Sequence, residues 1–482
     1  MGDSRRKFLK NLTLGAGSLV AGPHAFASHD EIFHQQGIPH LPSGFNMCGY
    51  AAPKLDKVRI GFIGLGMRGP GAVERMGYIE GVEIAALCDK YADRVAKMQQ
   101  YVQKTGRPKA NEYSGENAWK QLCETKDIDL VYICTPWQYH TPMAVYAMQQ
   151  GKHVAVEVPA AQQEEECWQL VETSETTKRH CMMLENCCYD FFELITLNMA
   201  RQGLMGEIVH GEGAYIHDLV DLNFNKINGY ADMWRLKENQ KNGNLYPTHG
   251  LGPIAQCMNI NRGDRFDYLT SMSTIDFTMA GHANALAQKD DFFQPFSGKT
   301  YRGNMNTTII KTMLGRTIMV QHDVSSPRPY SRLHTLSGTK GFAQKYPTPG
   351  RLAFGHSWMK PEEQKALETQ YTPEIVKKIG ELAKKIGGHG GMDFMMDWRL
   401  IDCLRNGLPL DQDVYDAAAW SVVTPLSQKS IVNKSSGVDI PDFTRGQWKT
   451  NAPVELTLKG GGNTGVIMQY GTTRDKQLKV DG

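Results

Sequence analysis

The sequence predicts an α/β domain built on a parallel sheet, followed by an α+β domain with a mostly antiparallel sheet. Three observations predict it. Short apolar runs alternate with helix-like stretches between residues 58 and 185. Beyond about residue 186, strand-like runs follow one another without helices between them. The 482 residues also exceed what one ordinary core accommodates. Alternating strand and helix implies a parallel sheet covered on both faces, whereas consecutive strands pair antiparallel.

The first strand is read at 58–63 (VRIGFI), and others follow at 82–88, 129–135, 153–158 and 181–185. Helical stretches at 91–103, 142–150 and 164–177 separate them. A long helix over 190–203 opens the second domain, with strands expected at 208–217, 268–277, 307–314 and 316–324. Two late helices, 392–406 and 414–433, are expected to pack back on either domain. The implied boundaries are 57–186 and 187–450, with an arm over 28–56 and a loose, glycine-containing tail over 451–482.

Composition excludes several classes of partner. Basic and acidic residues number 53 and 51, so no electrostatic reason exists to expect nucleic acid or an anionic membrane surface. Hydrophobic residues at 41% and charged residues at 22% mark a globular chain, not a disordered one. None of the ten cysteines forms a C-x-x-C pair, which argues against structural zinc; those in apolar runs, such as Cys134, read as small buried hydrophobes. His217-Asp218 and His322-Asp323 lack a third ligand at recognisable spacing, so no metal is expected. No segment is apolar enough to span a bilayer.

Residues 1–27 have the layout of an export signal: Arg5-Arg6 before Phe8-Leu9, a mild apolar stretch over 12–21, and the small-x-small pattern Ala25-Phe26-Ala27. Paired arginines resemble a twin-arginine signal, which implies a periplasmic protein exported already folded. That route suits a protein that must trap a dinucleotide before it leaves.

Gly64-Leu65-Gly66-Met67-Arg68-Gly69 follows the first strand and opens a helix. Glycines there permit a tight turn and close approach of backbone to pyrophosphate, and the helix N-terminus supplies free N–H groups. The pattern alone is weak in a chain with 48 glycines; its strand–turn–helix setting makes it a Rossmann fingerprint. Asp89 ends the second strand, where a carboxylate accepts from ribose hydroxyls and repels a 2′-phosphate, favouring NAD. Polar residues also close the later strands, at Thr135 to His140, Glu157-Val158 and Glu185-Asn186, lining one crevice at the carboxyl ends.

The dinucleotide loop, Thr-Pro-x-x-x-His and Glu-x-Pro together resemble the Gfo/Idh/MocA oxidoreductases. The closer resemblance is to glycoside hydrolase family 109, the NAD-dependent α-N-acetylgalactosaminidases. It is carried by CTPWQYH (134–140), ENCCY (185–189), GEGAYIHD (211–218), Trp234-Arg235, LYPTHGLG (245–252), NINR (259–262), HDVSSPRPY (322–330), GHGGMD (388–393), Val414-Tyr415-Asp416 and PDFT (441–444), in order over residues 55–450. The resemblance implies NAD at Met67, Arg68, Asp89, Trp137, Gln138, Tyr139, His140, Glu157, Val158 and Asn186, beside Gly64, Gly66 and Gly69. It implies the sugar at Tyr215, Arg235, Tyr246, Pro247, Thr248, His249 and Tyr330. Val158 stands where the wider oxidoreductases carry a proton-handling lysine, which disfavours a plain sugar dehydrogenase. The stretch from Gly229 to Trp234 is shorter than the family's, at the rim of the sugar pocket.

No pair of carboxylates suited to ordinary glycoside hydrolysis stands out in the second domain. The family resemblance implies a redox-neutral route instead: oxidation of the sugar at C3, loss of the acidified C2 proton, expulsion of the C1 substituent, hydration, and reduction back at C3. His249 is the candidate base for the C3 hydroxyl and Tyr215 for C2, its pKa lowered by nearby positive charge. Arg235 would grip hydroxyls with its planar fork, and Tyr246 and Tyr330 would bind the ring or acetamido group. A sugar dehydrogenase and a non-catalytic periplasmic sugar-binding protein are the alternatives; a homo-oligomer is the expectation by analogy.

Overall fold

The computed structural model describes residues 44–226 and 232–467. The expected export signal, most of the arm, residues 227–231 and the end of the tail lie outside the described residues.

The first sheet has six parallel strands in the order β3-β2-β1-β4-β5-β6. They are β1 (Val58–Ile63), β2 (Val82–Asp89), β3 (Asn111–Ser114), β4 (Leu130–Ile133), β5 (His153–Val156) and β6 (Cys181–Met183). Helices α1 (Gly69–Met76), α2 (Ala92–Lys104), α3 (Ala118–Glu124), α4 (His140–Gln149) and α5 (Glu164–Thr177) make the crossovers. Residues of β4, β5 and β6 are buried throughout, as expected of strands covered on both faces. The chain reverses direction through the sheet between β1 and β4. This is the switch point at which open parallel sheets hold ligands, and both strands end there in site residues. The edge strand β3 was not among the expected elements: its residues, NEYS, carry no apolar pattern and are mostly exposed.

The second domain opens on α6 (Phe191–Arg201), whose N-terminus is capped by Asp190 accepting from the Phe192 N–H. An eight-stranded sheet follows, in the order β13-β12-β11-β7-β10-β9-β8-β14. Its strands are β7 (Ile208–Ile216), β8 (Phe266–Ser273), β9 (Asn306–Thr312), β10 (Thr317–Asp323), β11 (Ser331–Gly338), β12 (Phe342–Gln344), β13 (Arg351–Ala353) and β14 (Val438–Asp439). Every pairing is antiparallel except β7 with β10. Between β7 and β8 come α7 (Val220–Asn223), α8 (Trp234–Glu238) and α9 (Thr248–Cys257), and after β8 comes α10 (Met279–Ala287). Helices α11 (Pro361–Tyr371), α12 (Glu374–Ile386), α13 (Met392–Asn406), α14 (Val414–Ser421) and α15 (Val423–Val432) complete the chain.

Helix α13 packs on α1 and β1 and so ties the second domain to the first. Its Asp397 is fully buried, accepts from Arg75 at 2.8 Å and from the Tyr132 hydroxyl at 2.9 Å, and is pushed up to about 6 by burial. The tail departs from the loose reading over 463–467. Glu80 N–H donates to the Gly465 carbonyl, Ile467 N–H to that of Tyr78, and the Trp398 indole to that of Thr464, so the segment is pinned between the first domain and α13. All ten cysteines are free thiols, and all but Cys48 and Cys134 are buried, as small apolar residues should be. Among the described residues no helix is long and apolar enough to cross a membrane.

Candidate active site

The glycine loop between β1 and α1 is built for close approach. Gly64 sits at φ +91°, where a Cβ would lie 2.7 Å from the Cys134 carbonyl, and a Cβ on Gly69 would lie 2.0 Å from the Gly64 oxygen. Neither position tolerates a side chain, whereas a Cβ on Gly66 would meet only the end of Arg94, at 3.3 Å. Asp89, buried at the end of β2, locks the loop: Oδ2 accepts the Leu65 N–H at 2.7 Å and Oδ1 the Tyr91 N–H at 2.9 Å. Each carboxylate oxygen keeps a second lone pair for a ribose hydroxyl. Arg68 reaches from the loop to Glu157 at the end of β5 (Nε to Oε1, 2.9 Å) and to Asp393 on α13 (3.3 Å).

These residues border one cleft along the strand ends, with about 1240 Å³ of empty space, its open mouth included. Gly64, Gly66, Met67, Arg68, Asp89, Trp137, Tyr139, His140, Glu157 and Val158 line it, and Arg235 and Tyr246 close its far end. Three expected cofactor residues lie elsewhere. Gly69 is in the helix behind the loop, Gln138 is exposed and outside the lining, and Asn186 donates to Asp393 at 2.5 Å. His140 has its ring nitrogens 2.7 Å from the Pro159 carbonyl and 2.8 Å from that of Thr135. Burial lowers its pKa despite these two acceptors, so the neutral ring braces the loop by donating to one of them. A glycine turn closed to Cβ atoms at Gly64 and Gly69, a helix N-terminus and a buried carboxylate one strand over together fit NAD.

The second cluster adjoins the cleft at Trp137, whose ring stacks on Tyr246 at 5.6 Å and 25°. Tyr215 on β7 and His249 on α9 meet because strand and helix touch glycine to glycine. A Cβ on Gly213 would lie 2.3 Å from the Gly250 oxygen, and one on Gly250 2.2 Å from the Ala214 nitrogen. This brings the Tyr215 ring centre within 4.8 Å of Tyr246, 5.4 Å of His249 and 6.2 Å of Tyr330. Pro247 is the N-cap of α9 and Thr248, buried, its first residue. Arg235 lies with its guanidinium carbon 5.2 Å from the Trp137 ring centre and 4.9 Å from that of Trp234. Tyr330 accepts from Arg332 at 3.0 Å. Burial pushes the phenols of Tyr246 and Tyr330 well up, which keeps both as neutral hydroxyls suited to binding.

The structure adds a residue that sequence reasoning did not assign. Glu185 is fully buried, and His249 Nδ1 lies 2.8 Å from its Oε1 and 2.9 Å from its Oε2. Burial alone would raise the Glu185 pKa. The His249 charge and hydrogen bond, with the Cys187 N–H, outweigh it and hold the carboxyl below its usual range. An anionic Glu185 accepts Nδ1–H, leaving His249 Nε2 as the proton acceptor. Its signal was its place two residues beyond β6, at the carboxyl edge shared by the other site residues. Glu185, Cys187 and His249 also have donor atoms within 4.8 Å of one another, close enough to surround a metal. The Glu185 carboxylate is taken up by His249 Nδ1 and the Cys187 N–H, and the Cys187 thiol donates to Asn186 Oδ1 at 3.5 Å. Of the other suspected ligands, His322 Nδ1 accepts the Leu245 N–H and Asp323 caps the Ser325 and Ser326 N–H groups.

Known proteins resemble the chain in both halves. A profile of the oxidoreductase family's NAD-binding Rossmann fold matches residues 58–185, and one of the glycosyl hydrolase 109 C-terminal domain matches residues 189–450. The glycosyl hydrolase family 109 protein 2 of Phocaeicola vulgatus is 51% identical over 411 residues, covering 84% of this chain and 98% of its own. An α-N-acetylgalactosaminidase of Bacteroides fragilis is 52% identical over 415 residues, covering 85% and 97%. Among solved structures, an NAD-binding oxidoreductase from Klebsiella pneumoniae superposes with a TM-score of 0.60 at 15% identity, over 80% of this chain and all of that one. A levoglucosan dehydrogenase complexed with NADH gives 0.58 at 17%, with the same coverage; these two show the shared fold. The chain is an NAD-using enzyme and belongs to glycosyl hydrolase family 109.

Proposed function

We propose that the enzyme hydrolyses α-N-acetylgalactosaminides at the Tyr215–Tyr246–His249 cluster without net redox change. The observation that carries the reading is the His249–Glu185 pair. It holds His249 Nδ1 on a carboxylate and leaves Nε2 to accept, among tyrosines beside the cleft that fits NAD. The Bacteroides fragilis relative's name supports the sugar. NAD, when bound, supplies reversible oxidation at C3. His249 Nε2 takes the C3 hydroxyl proton and Glu185 stabilises the imidazolium that forms. Tyr215 removes the C2 proton once C3 is a ketone, the C1 substituent leaves, and water adds to the double bond. Arg235 holds hydroxyls and Tyr246 walls the ring against Trp137.

A panel of p-nitrophenyl glycosides, read at once for nitrophenol and free NADH, tests this. Nitrophenol from the α-N-acetylgalactosaminide without NADH build-up supports it. NADH produced from free sugar and added NAD⁺, with no nitrophenol, would replace it with a dehydrogenase. We also infer periplasmic export from residues 1–27, which Arg5→Lys with Arg6→Lys should abolish. Exposed Tyr268, Met272 and Ile309 on the second sheet support a homo-oligomer, measurable by light scattering.

A further inference from the structure

We infer that Arg332 is a positioning residue, which holds the Tyr330 hydroxyl as a hydrogen-bond donor to an oxygen of the sugar. The inference rests on the reading that the cluster around Tyr215 takes the sugar.

Arg332 lies on β11 and is 2% exposed. A guanidinium buried that far must meet negative charge, and the start of α6 supplies it. Nε and Nη2 donate to Glu193 Oε1 at 3.2 and 2.7 Å, and Nη2 also donates to Asp190 Oδ2 at 3.1 Å. Lys345 Nζ lies 2.5 Å from Asp190 Oδ2 and 3.5 Å from Glu193 Oε1, so two cations face two carboxylates. A side chain placed only for ion pairing would close a two-pronged bond on Glu193. Here Glu193 Oε2 makes no hydrogen bond, while Arg332 Nη1 turns away to Tyr330 Oη at 3.0 Å. The backbone is bent to the same end. Strand β11 loses register against β7 between Ser331 and Leu333, and Leu333 and His334 take φ of +58° and +50°. Such breaks re-aim a side chain at a site.

The direction of the Arg332–Tyr330 bond is fixed, because a guanidinium has no lone pair to offer. Tyr330 accepts, and its own O–H hydrogen must be used elsewhere. Among the described residues no acceptor takes it. The Tyr330 ring centre lies 6.2 Å from that of Tyr215 and 5.1 Å from that of His217, so the free hydrogen borders the reaction cluster. A cation on the oxygen's lone pair polarises the O–H bond and strengthens its donation. The matching group on a sugar is an oxygen with a lone pair, a hydroxyl or a carbonyl. Without Arg332 the hydroxyl is free to rotate and the donor is no longer fixed.

The test is a double-mutant cycle on the NAD-loaded full chain: wild type, Tyr330→Phe, Arg332→Lys and both together. Each is read as KM and kcat for the p-nitrophenyl α-N-acetylgalactosaminide and as the calorimetric Kd for N-acetylgalactosamine. Tyr330→Phe should raise KM and Kd by about five- to tenfold, with kcat within about twofold of wild type. Arg332→Lys keeps the charge beside Asp190 and Glu193 but loses the fork. It should raise KM and Kd about threefold or more when Tyr330 is present, and less than about 1.5-fold in Tyr330→Phe. Should the lysine variant melt much lower than wild type, Arg332→Met with Glu193→Gln removes one charge of each sign and should give the same pattern. Equal weakening by Arg332→Lys in both backgrounds would make Arg332 structural and overturn the inference. Unchanged binding in Arg332→Lys or in Tyr330→Phe, or a loss confined to kcat, would overturn it too. The full pattern in Kd with no nitrophenol released would remove the glycosidase reading and leave the positioning intact; nitrophenol release with equal weakening in both backgrounds would do the reverse.

Discussion

Replacing Glu185 by glutamine changes one atom and one charge at the point on which the proton chemistry turns. The carboxylate accepts from His249 Nδ1 through both oxygens, at 2.8 and 2.9 Å, and Oε1 also accepts the Cys187 N–H at 3.1 Å. A glutamine must keep its carbonyl oxygen towards Cys187, which turns its NH₂ towards His249. With its NH₂ and its carbonyl oxygen both beside Nδ1, the glutamine no longer selects the tautomer with the proton on Nδ1, the one that leaves Nε2 to accept. It also removes the negative charge opposite the imidazolium. A positioned general base contributes about 10²–10⁴ in rate, or about 2.7–5.5 kcal/mol at the barrier. Glu185→Gln should therefore lower kcat for the p-nitrophenyl α-N-acetylgalactosaminide by at least about 100-fold with little change in KM. Retained NAD should match wild type, since Glu185 does not line the cofactor cleft. A variant keeping a third of wild-type kcat would refute the assignment of His249 as the base held by Glu185.

Tyr215→Phe keeps the ring packing and deletes the C2 base, so kcat should fall by about 10²–10⁴ with KM nearly unchanged, in the same assay. Asp393 accepts from Asn186 and His389 and pairs with Arg68 and Arg75. Asp393→Ala removes an acceptor from Asn186 and His389 and leaves Arg68 and Arg75 with one carboxylate each, Glu157 and Asp397, so it should cost about 1–3 kcal/mol in denaturant unfolding, with weakened NAD retention as Arg68 loses one of its two braces. His180 is buried and its pKa is lowered by burial to about 4. Between about pH 6.5 and 4 the unfolded chain binds a proton there that the folded chain does not. Its contribution is intact above about pH 6.5 and falls with pH through that window, by up to about 3 kcal/mol. The melting temperature should drop over this range and drop less in His180→Asn; an equal drop in both proteins would count against it.

The parallel sheet was legible because β1, β4 and β5 are short, mostly apolar runs separated by helix-like stretches, and the glycine loop because its context is short-range. Strand β3 was not, being polar and exposed. Neither was β11, where Leu333 and His334 take positive φ and the register against β7 shifts, breaking the alternation that marks a strand. Helix α12 does carry a signal, an apolar stripe at Ile375, Ile379, Ala383 and Ile386, which a strand-centred reading passes over. In the site, Tyr215 and His249 stand in motifs and could be named from sequence. Their convergence depends on Gly213 meeting Gly250, 37 positions apart, and Glu185's partner lies 64 positions away. No local pattern announces such pairings.

The central claim is that the C2 proton is lost and regained during hydrolysis. Turnover of the p-nitrophenyl α-N-acetylgalactosaminide in D₂O, with proton NMR of the released sugar, tests it most directly. The account predicts deuterium at C2 of the product, and none in sugar incubated with Tyr215→Phe. Product that retains its C2 proton while nitrophenol is released would contradict it and point to direct displacement at C1.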